Sequence, residues 1–148
     1  MKKLLAFILV LSMVFAVAAV SAVAEEKKVD NVAYLVNGNL GDKSFFDSAH
    51  SGIVELVKAG RINCETIEMG GTDEDKPRWL ATLYDVSASG DYDIIICGTY
   101  QMPDYLKEVA TAYPDQKYII FDDNTYVGDN SNVLNLTYRQ NDMGYLVG

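Results

Sequence analysis

The sequence predicts an α/β fold built on a doubly wound parallel sheet with the strand order 2-1-3-4-5. From residue 31 onward, strand-like runs alternate with helix-like runs, which is the pattern of parallel βαβ units with right-handed crossovers. The strongest strand-like runs are also continuously apolar, as expected for strands that are covered on both faces. This strand order reverses between strands one and three, and ligands bind at such a reversal.

The first half of the fold follows from three runs. Val32–Val36 is continuously apolar and predicts strand one. Phe45–Lys58 carries apolar residues at helical spacing and predicts the first helix, which Gly60 ends. Cys64–Met69 predicts strand two, although two glutamates interrupt it.

The second half continues the alternation. Pro77 fits the first turn of a second helix, where a missing N–H costs nothing, and Asp73 or Asp75 can cap that helix. Pro103 begins a third helix in the same way. The remaining runs are strand three at Asp93–Cys97, strand four at Lys117–Phe121, strand five at Asn132–Leu136, and the opening of a further helix at Met143–Gly148.

The beginning of the chain has the composition of a signal peptide. Residues 1–24 carry two lysines, then the apolar run Leu4–Val20, then a small-x-small cleavage site at Ala22-Val23-Ala24. An uncleaved membrane anchor is the alternative, because the apolar run approaches spanning length. No lipid-anchor cysteine follows this run. We therefore expect an exported protein, periplasmic or at the outer face of the cytoplasmic membrane, whose residues 25–148 form one α/β lobe.

Charge and cysteine content narrow the class of protein. The formal net charge is −9, which argues against nucleic acid or anionic lipid as a partner because both attract basic patches. The two cysteines, Cys64 and Cys97, lie in strands on either side of strand one. That separation is about 10 Å, and a disulfide needs Cα atoms within about 7 Å. We therefore predict two free thiols.

The candidate ligand site lies where strands one, three and four end. The turns at residues 37–46, 98–102 and 122–124 should meet at one edge of the sheet, where open α/β folds bind ligands. Amide and carboxylate groups there can exchange hydrogen bonds with hydroxyl and ring N–H groups, and an aromatic ring can stack on a flat ligand. The candidate ligand-binding residues are Asn37, Asp42, Phe45, Phe46, Tyr100, Asp122 and Asp123.

Other chemistries have little support in the sequence. The turn Gly41-Asp-Lys-Ser44 departs from a phosphate-binding loop, since Asp42 stands directly before Lys-Ser. The only histidine, His50, lies in the middle of the first helix, and neither cysteine has a histidine partner at the predicted edge. The aspartates could ligate a metal, but they suit helix capping or hydrogen bonding better. We expect no catalysis, no metal and no cofactor.

Several segments together resemble the basic membrane protein (Bmp) family of substrate-binding proteins, which includes purine-nucleoside receptors of ABC importers. The first is the D-K-S-F signature with the small residues that follow it. The resemblance covers essentially the whole chain after the signal peptide. The segments are Gly41-Asp-Lys-Ser-Phe45 with Ser48-Ala49 and Gly52, Asp91–Gly98, Tyr105–Ala110 with Tyr113–Tyr118, and Asn141–Gly148.

The resemblance implies a fold and a site. The fold is that of a type I periplasmic binding protein, with two α/β lobes that close on ligand, so this chain is expected to be a truncated N-terminal lobe without the second. The family's stacking phenylalanine corresponds to Phe45, and the aspartate that holds the ribose hydroxyls corresponds to Asp122. Asn37 stands where nucleoside-binding members have an aspartate that contacts the base, and Phe46 where many have asparagine.

The expected function is capture of a small solute, with a nucleoside as the expected ligand and an ABC permease as partner. The complete protein is expected to be a monomer. A sensory binding protein of the same fold, or a receptor for sugars or another small polar ligand, is the alternative. An enzyme of doubly wound fold is a third hypothesis. The lack of a paired general base and nucleophile in the sequence argues against it.

Overall fold

The computed structural model describes residues 30–123 and 130–138. The proposed signal peptide, the predicted helix at Met143–Gly148 and Asn124 lie outside the described residues. Within the two described ranges, no helix combines the length and apolar character that a membrane crossing requires.

Five strands form one parallel sheet in the order β2-β1-β3-β4-β5, which confirms the predicted fold class and topology. Each predicted strand is present, with bounds that differ from the prediction by at most two residues at either end. The strands are β1 at Asp30–Val36, β2 at Ile62–Glu68, β3 at Ile94–Gly98, β4 at Lys117–Phe121 and β5 at Val133–Leu136.

Three helices connect the strands: α1 at Phe45–Lys58, α2 at Lys76–Ser89 and α3 at Pro103–Ala112. Proline occupies the first turn of both α2 and α3, as predicted. The two aspartates that the sequence predicts as caps of α2, Asp73 and Asp75, make other contacts instead. Asp75 holds the N-cap position without a side-chain cap bond, and its Oδ2 instead accepts from the Thr72 N–H and hydroxyl at 3.0 and 2.8 Å. Asp73 pairs with Lys76 at 2.6 Å.

The two faces of the sheet are covered unequally. On the first face, α2 and α3 cover a core of fourteen buried residues that includes Trp79 and Leu106. On the second face, α1 covers a core of four buried residues, namely Tyr34, Val36, Ile53 and Phe121. The first face therefore holds most of the buried apolar volume of the described chain.

Beyond α1, the second face presents an apolar row to the surface. Ile96 pairs with Ile119, and Ile119 pairs with Leu134, so the three side chains lie side by side on the same face. Leu134 is 55% exposed, and Leu136 on the same face of β5 is 44% exposed. A depression of about 400 Å³ lies over β4 and β5 at this row.

Both cysteines are free thiols, as predicted. Cys97 belongs to the first core, and Cys64 packs against the second, so the two thiols lie on opposite faces and in strands that β1 separates. Burial raises the pKa of the Cys97 thiol to about 12, which makes it unreactive at neutral pH.

Candidate functional site

The carboxyl ends of β1, β3 and β4 lie side by side at one edge of the sheet because these strands are adjacent and parallel. The turns that follow them, together with the first two residues of α1, carry every residue that the sequence predicts as a ligand-binding candidate. We call this edge the crevice, and define it by residues 37–46, 98–102 and 122–123.

Asn37 is the most buried polar residue of the first turn, with 3% of its surface exposed. Its Nδ2 donates to Oε1 of Gln101, across the boundary between β1 and β3, at 3.4 Å. Its Oδ1 is buried and has no hydrogen-bond partner within residues 30–123 and 130–138. A buried acceptor without a donor costs about 1–3 kcal/mol, so this oxygen is suited to a donor supplied by a ligand.

Gln101 is a site residue that the sequence prediction left out of its candidates. It follows β3 in the turn 98–102 and contacts Asn37 from the neighbouring strand end. The predicted strand order placed its turn at the crevice, but no side-chain pattern distinguished Gln101 from Tyr100 beside it.

Asp42 caps α1 and has little capacity left for a ligand. Its Oδ1 accepts from the N–H groups of Ser44 and Asp47 at 2.9 and 3.2 Å, and its Oδ2 accepts from the N–H of Phe46 at 3.4 Å. The Ser44 N–H is the main cause that lowers the pKa of the Asp42 carboxyl. Ser44 holds the N-cap position but makes no side-chain cap bond. The carboxylate of Asp42, and not the hydroxyl of Ser44, thus satisfies the free N–H groups at the start of α1.

Asp47 reaches back from α1 to the same turn. Its two carboxylate oxygens accept from the N–H groups of Gly41 and Lys43 at 2.7 and 2.8 Å. Both donors belong to residues with positive φ, +97° at Gly41 and +53° at Lys43. Left-handed backbone is unfavourable for a lysine, so the contacts of Asp47 stabilise a conformation that the residue alone would not prefer.

The two adjacent phenylalanines have different surroundings. Phe45 is 50% exposed at the first residue of α1. Phe46 packs against the second core, and its ring lies so close to Gly38 that a Cβ on this glycine would be 2.7 Å from Cε2. The buried Tyr34 hydroxyl donates to the carbonyl of Phe46 at 3.2 Å. This placement favours Phe45 over Phe46 as a surface for a ligand.

The turn after β3 carries a more exposed ring. Tyr100 is 72% exposed, whereas Thr99 before it is buried. Phe45 and Tyr100 are therefore the exposed aromatic candidates, whereas Phe46 packs against the second core and Asn37 is buried.

The turn after β4 holds two adjacent carboxylates. Asp122 adopts a left-handed backbone with φ +54°, and its N–H donates to the carbonyl of Leu136 at 3.1 Å. Burial, and then the charge of Asp123, raises the pKa of the Asp122 carboxyl. Asp123 is 2% exposed and has an interaction partner of its own. Of the two, Asp122 is the less buried carboxylate.

The arrangement is suited to recognition by stacking and hydrogen bonding. It combines exposed aromatic rings, a buried amide oxygen and a carboxylate with a raised pKa, all at the strand ends or at the start of α1. Within the described ranges, no group of three or more histidine, cysteine or acidic residues could hold a metal ion. His50 lies inside α1, away from the strand ends.

Comparison with known proteins extends these observations. Residues 29–148 match the family described as "ABC transporter substrate-binding protein PnrA-like". Among solved structures, the chain is similar to an ABC transporter solute-binding protein from Aeropyrum pernix K1, with a TM-score of 0.64 and 27% sequence identity. That alignment covers 81% of this chain and 31% of the Aeropyrum chain.

Two curated relatives have a level of sequence identity to this chain similar to that of the Aeropyrum protein. The CD4+ T-cell-stimulating antigen of Listeria monocytogenes is 29% identical over 111 residues, which cover 75% of this chain and 30% of the antigen. Basic membrane protein A of Borreliella burgdorferi is 28% identical over 150 aligned residues, which cover 100% of this chain and 42% of that protein. The chain thus spans less than half the length of either relative. Because the family match covers most of its sequence, the chain belongs to the Bmp family of PnrA-like ABC transporter substrate-binding proteins.

Proposed function

We propose that this chain is a solute-binding lobe of an ABC importer, and that its ligand is a purine nucleoside. The observation that carries the proposal is the unsatisfied Oδ1 of the buried Asn37 at the crevice. A ligand that donates an N–H to this oxygen removes the cost of a buried, unpaired acceptor. Purine bases offer such a donor on a flat edge.

Phe45 supplies the second contact in this proposal. Its half-exposed ring, at the start of α1, can stack on a base and gains apolar contact in doing so. Stacking of a base on an aromatic side chain contributes about 1–3 kcal/mol. The exposed Tyr100 offers a second ring for stacking at the same edge.

Asp122 supplies the third contact. A carboxylate accepts hydrogen bonds from two adjacent hydroxyl groups, which is the chemistry of a ribose 2′,3′-diol. Burial raises the pKa of Asp122, so donors from the ligand would stabilise the charged form that burial disfavours. A free sugar would also donate hydrogen bonds to Asp122. It has no N–H group for the Oδ1 of Asn37, however, and would offer that oxygen only a hydroxyl group.

Family membership supports a proposal for the setting of this activity. We propose an exported protein that delivers its solute to an ABC permease, with no chemistry of its own. A sensory role would use the same crevice to present ligand to a receptor. Loss of nucleoside uptake on deletion of the gene supports import, whereas loss of a response with uptake intact supports sensing.

The test is a titration of the isotope-labelled chain with inosine, guanosine and ribose, followed by NMR chemical shifts of backbone amides. A single lobe gives a ligand only part of its contacts, so we expect dissociation constants in the millimolar range, with shifts at residues 37–46 and 122–123. Phe45→Ala should weaken inosine binding about fivefold or more, from the loss of about 1 kcal/mol of stacking. Leu56→Ala, at a similarly exposed position of the same helix, is the matched control.

Two results would overturn the proposal. One is a titration in which no nucleoside shifts any crevice amide at millimolar concentration. The other is inosine binding that Phe45→Ala and Leu56→Ala weaken to the same small extent, since the ring would then have no special role.

A further inference from the structure

We infer that Asp47 is a positioning residue, which fixes the turn before α1 and thereby sets the orientation in which Phe45 meets a ligand. The inference rests on the proposed function for the role of Phe45, but its structural part stands on hydrogen bonds within the chain. Asp47 lies two residues after Phe45, in the first turn of α1.

The carboxylate of Asp47 bridges two points of the turn. One oxygen accepts from Gly41 and the other from Lys43, at 2.7 and 2.8 Å, and both distances are typical of strong charge-assisted bonds. The donors are the two positive-φ residues of this turn. A side chain that holds both of them selects one backbone path between Gly38 and Phe45.

Asp42 closes the turn from the opposite direction. Its carboxylate accepts from Ser44, Phe46 and Asp47, so the two aspartates satisfy five backbone N–H groups between them. The arrangement resembles a capping box, in which an acid in the first turn of a helix bonds back to the backbone before it. Here the carboxylate of Asp47 accepts from Lys43 and Gly41, and so links two residues outside the helix to its first turn.

Phe45 stands at the centre of this arrangement. Its neighbours Ser44 and Phe46 both donate to Asp42, and the carbonyl of Phe46 accepts from Tyr34. The backbone on either side of Phe45 is therefore fixed, while its ring remains 50% exposed. A ring on a fixed backbone loses less conformational entropy on binding, which favours affinity.

The experiment compares Asp47→Ala and Asp47→Asn with Glu55→Gln, which removes an acid from the exposed end of the same helix. We expect Asp47→Ala to raise the hydrogen-exchange rates of the Gly41 and Lys43 amides at least tenfold, and Asp47→Asn to be intermediate because its amide keeps one acceptor oxygen. Rotamer populations of Phe45, from NMR coupling constants, should broaden in Asp47→Ala and stay unchanged in Glu55→Gln.

A double-mutant cycle separates positioning from general stability. Asp47→Ala should weaken inosine binding several-fold in the wild-type background and cause no further loss in Phe45→Ala, since the effect acts through that ring. An equal loss in both backgrounds, or unchanged exchange of Gly41 and Lys43, would overturn the inference. If inosine binds no variant, the proposed function fails, while amide exchange and the Phe45 rotamers still decide whether Asp47 fixes the turn.

Discussion

The two faces of the sheet differ in what they contribute to the molecule. Helices α2 and α3 cover the first face with fourteen buried residues, whereas α1 covers only part of the second, whose buried core has four. The crevice segment at residues 37–46 includes the start of α1 and contacts the second core through Phe46. Most of the buried core thus lies on the first face, while the candidate crevice contacts the second, so substitutions on each face should have separable effects.

The largest loss of stability should come from Trp79→Ala on the first face. Trp79 is fully buried, and its Nε1 donates to the carbonyl of Gly70 at 2.8 Å. The cavity and the lost bond should lower the free energy of unfolding by about 3–5 kcal/mol, measured by urea unfolding with far-UV circular dichroism. Trp79→Phe keeps most of the ring volume and should cost less. Equal losses in the two variants would mean that packing volume is not what Trp79 provides.

A matched pair of helix residues compares the two faces directly. Leu106 of α3 is fully buried on the first face, and Ile53 of α1 is 8% exposed on the second. We expect Leu106→Ala to cost about 4 kcal/mol and Ile53→Ala about 2 kcal/mol, because the smaller core can collapse toward solvent around the gap. The same unfolding measurement tests both, and a larger loss for Ile53→Ala would reverse the comparison.

Tyr34→Phe removes one hydrogen bond beneath the crevice. The Tyr34 hydroxyl donates to the Phe46 carbonyl, so its loss should cost about 1 kcal/mol. Burial raises the pKa of Tyr34, so its stabilisation is present below about pH 10 and is lost as the pH rises above that value. Unfolding measured against pH should therefore show a shallower alkaline decline in Tyr34→Phe. Identical declines would contradict this role.

The smallest effect should come from Asp122→Asn at the crevice. Because burial raises its pKa, the charged carboxylate opposes folding near neutral pH and stops doing so once the pH falls below the usual carboxyl range. The variant should melt slightly higher than wild type at neutral pH, and the difference should vanish in acid. Asparagine tolerates the positive φ of this position, so no backbone strain is added. Asp115→Asn, at an exposed turn before β4, is the control.

Much of the fold could be predicted from local patterns. Pro77 and Pro103 mark helix starts, and the apolar run at Lys117–Phe121 marks β4 with the observed bounds. The strand order followed from the alternation of elements and the handedness rule. The unequal cover of the two faces was not predictable, because the exposure of Leu134 and Leu136 depends on which helices reach β5.

For the candidate site, the adjacency of the strand ends was predictable from the sequence, whereas most side-chain contacts there were not. Topology placed the turns after β1, β3 and β4 at one edge, but it did not distinguish the exposed Phe45 from Phe46, which packs against the second core. The role of Asp47 could not be predicted, since its bonds to Gly41 and Lys43 depend on a turn with two positive φ angles. Gln101 was missed because its contact with Asn37 joins strands that are distant in the sequence.

Trp79 gives the chain a built-in optical reporter. The sequence has one tryptophan and ten tyrosines, so the indole emission of the protein comes from a single ring. That ring is shielded from water, stands edge-on to Tyr105 at 6.2 Å between centroids, and is tethered to Gly70 just after β2. A red shift of its fluorescence would therefore signal that the segment following β2 has separated from α2, and no dye or label would be required to see it.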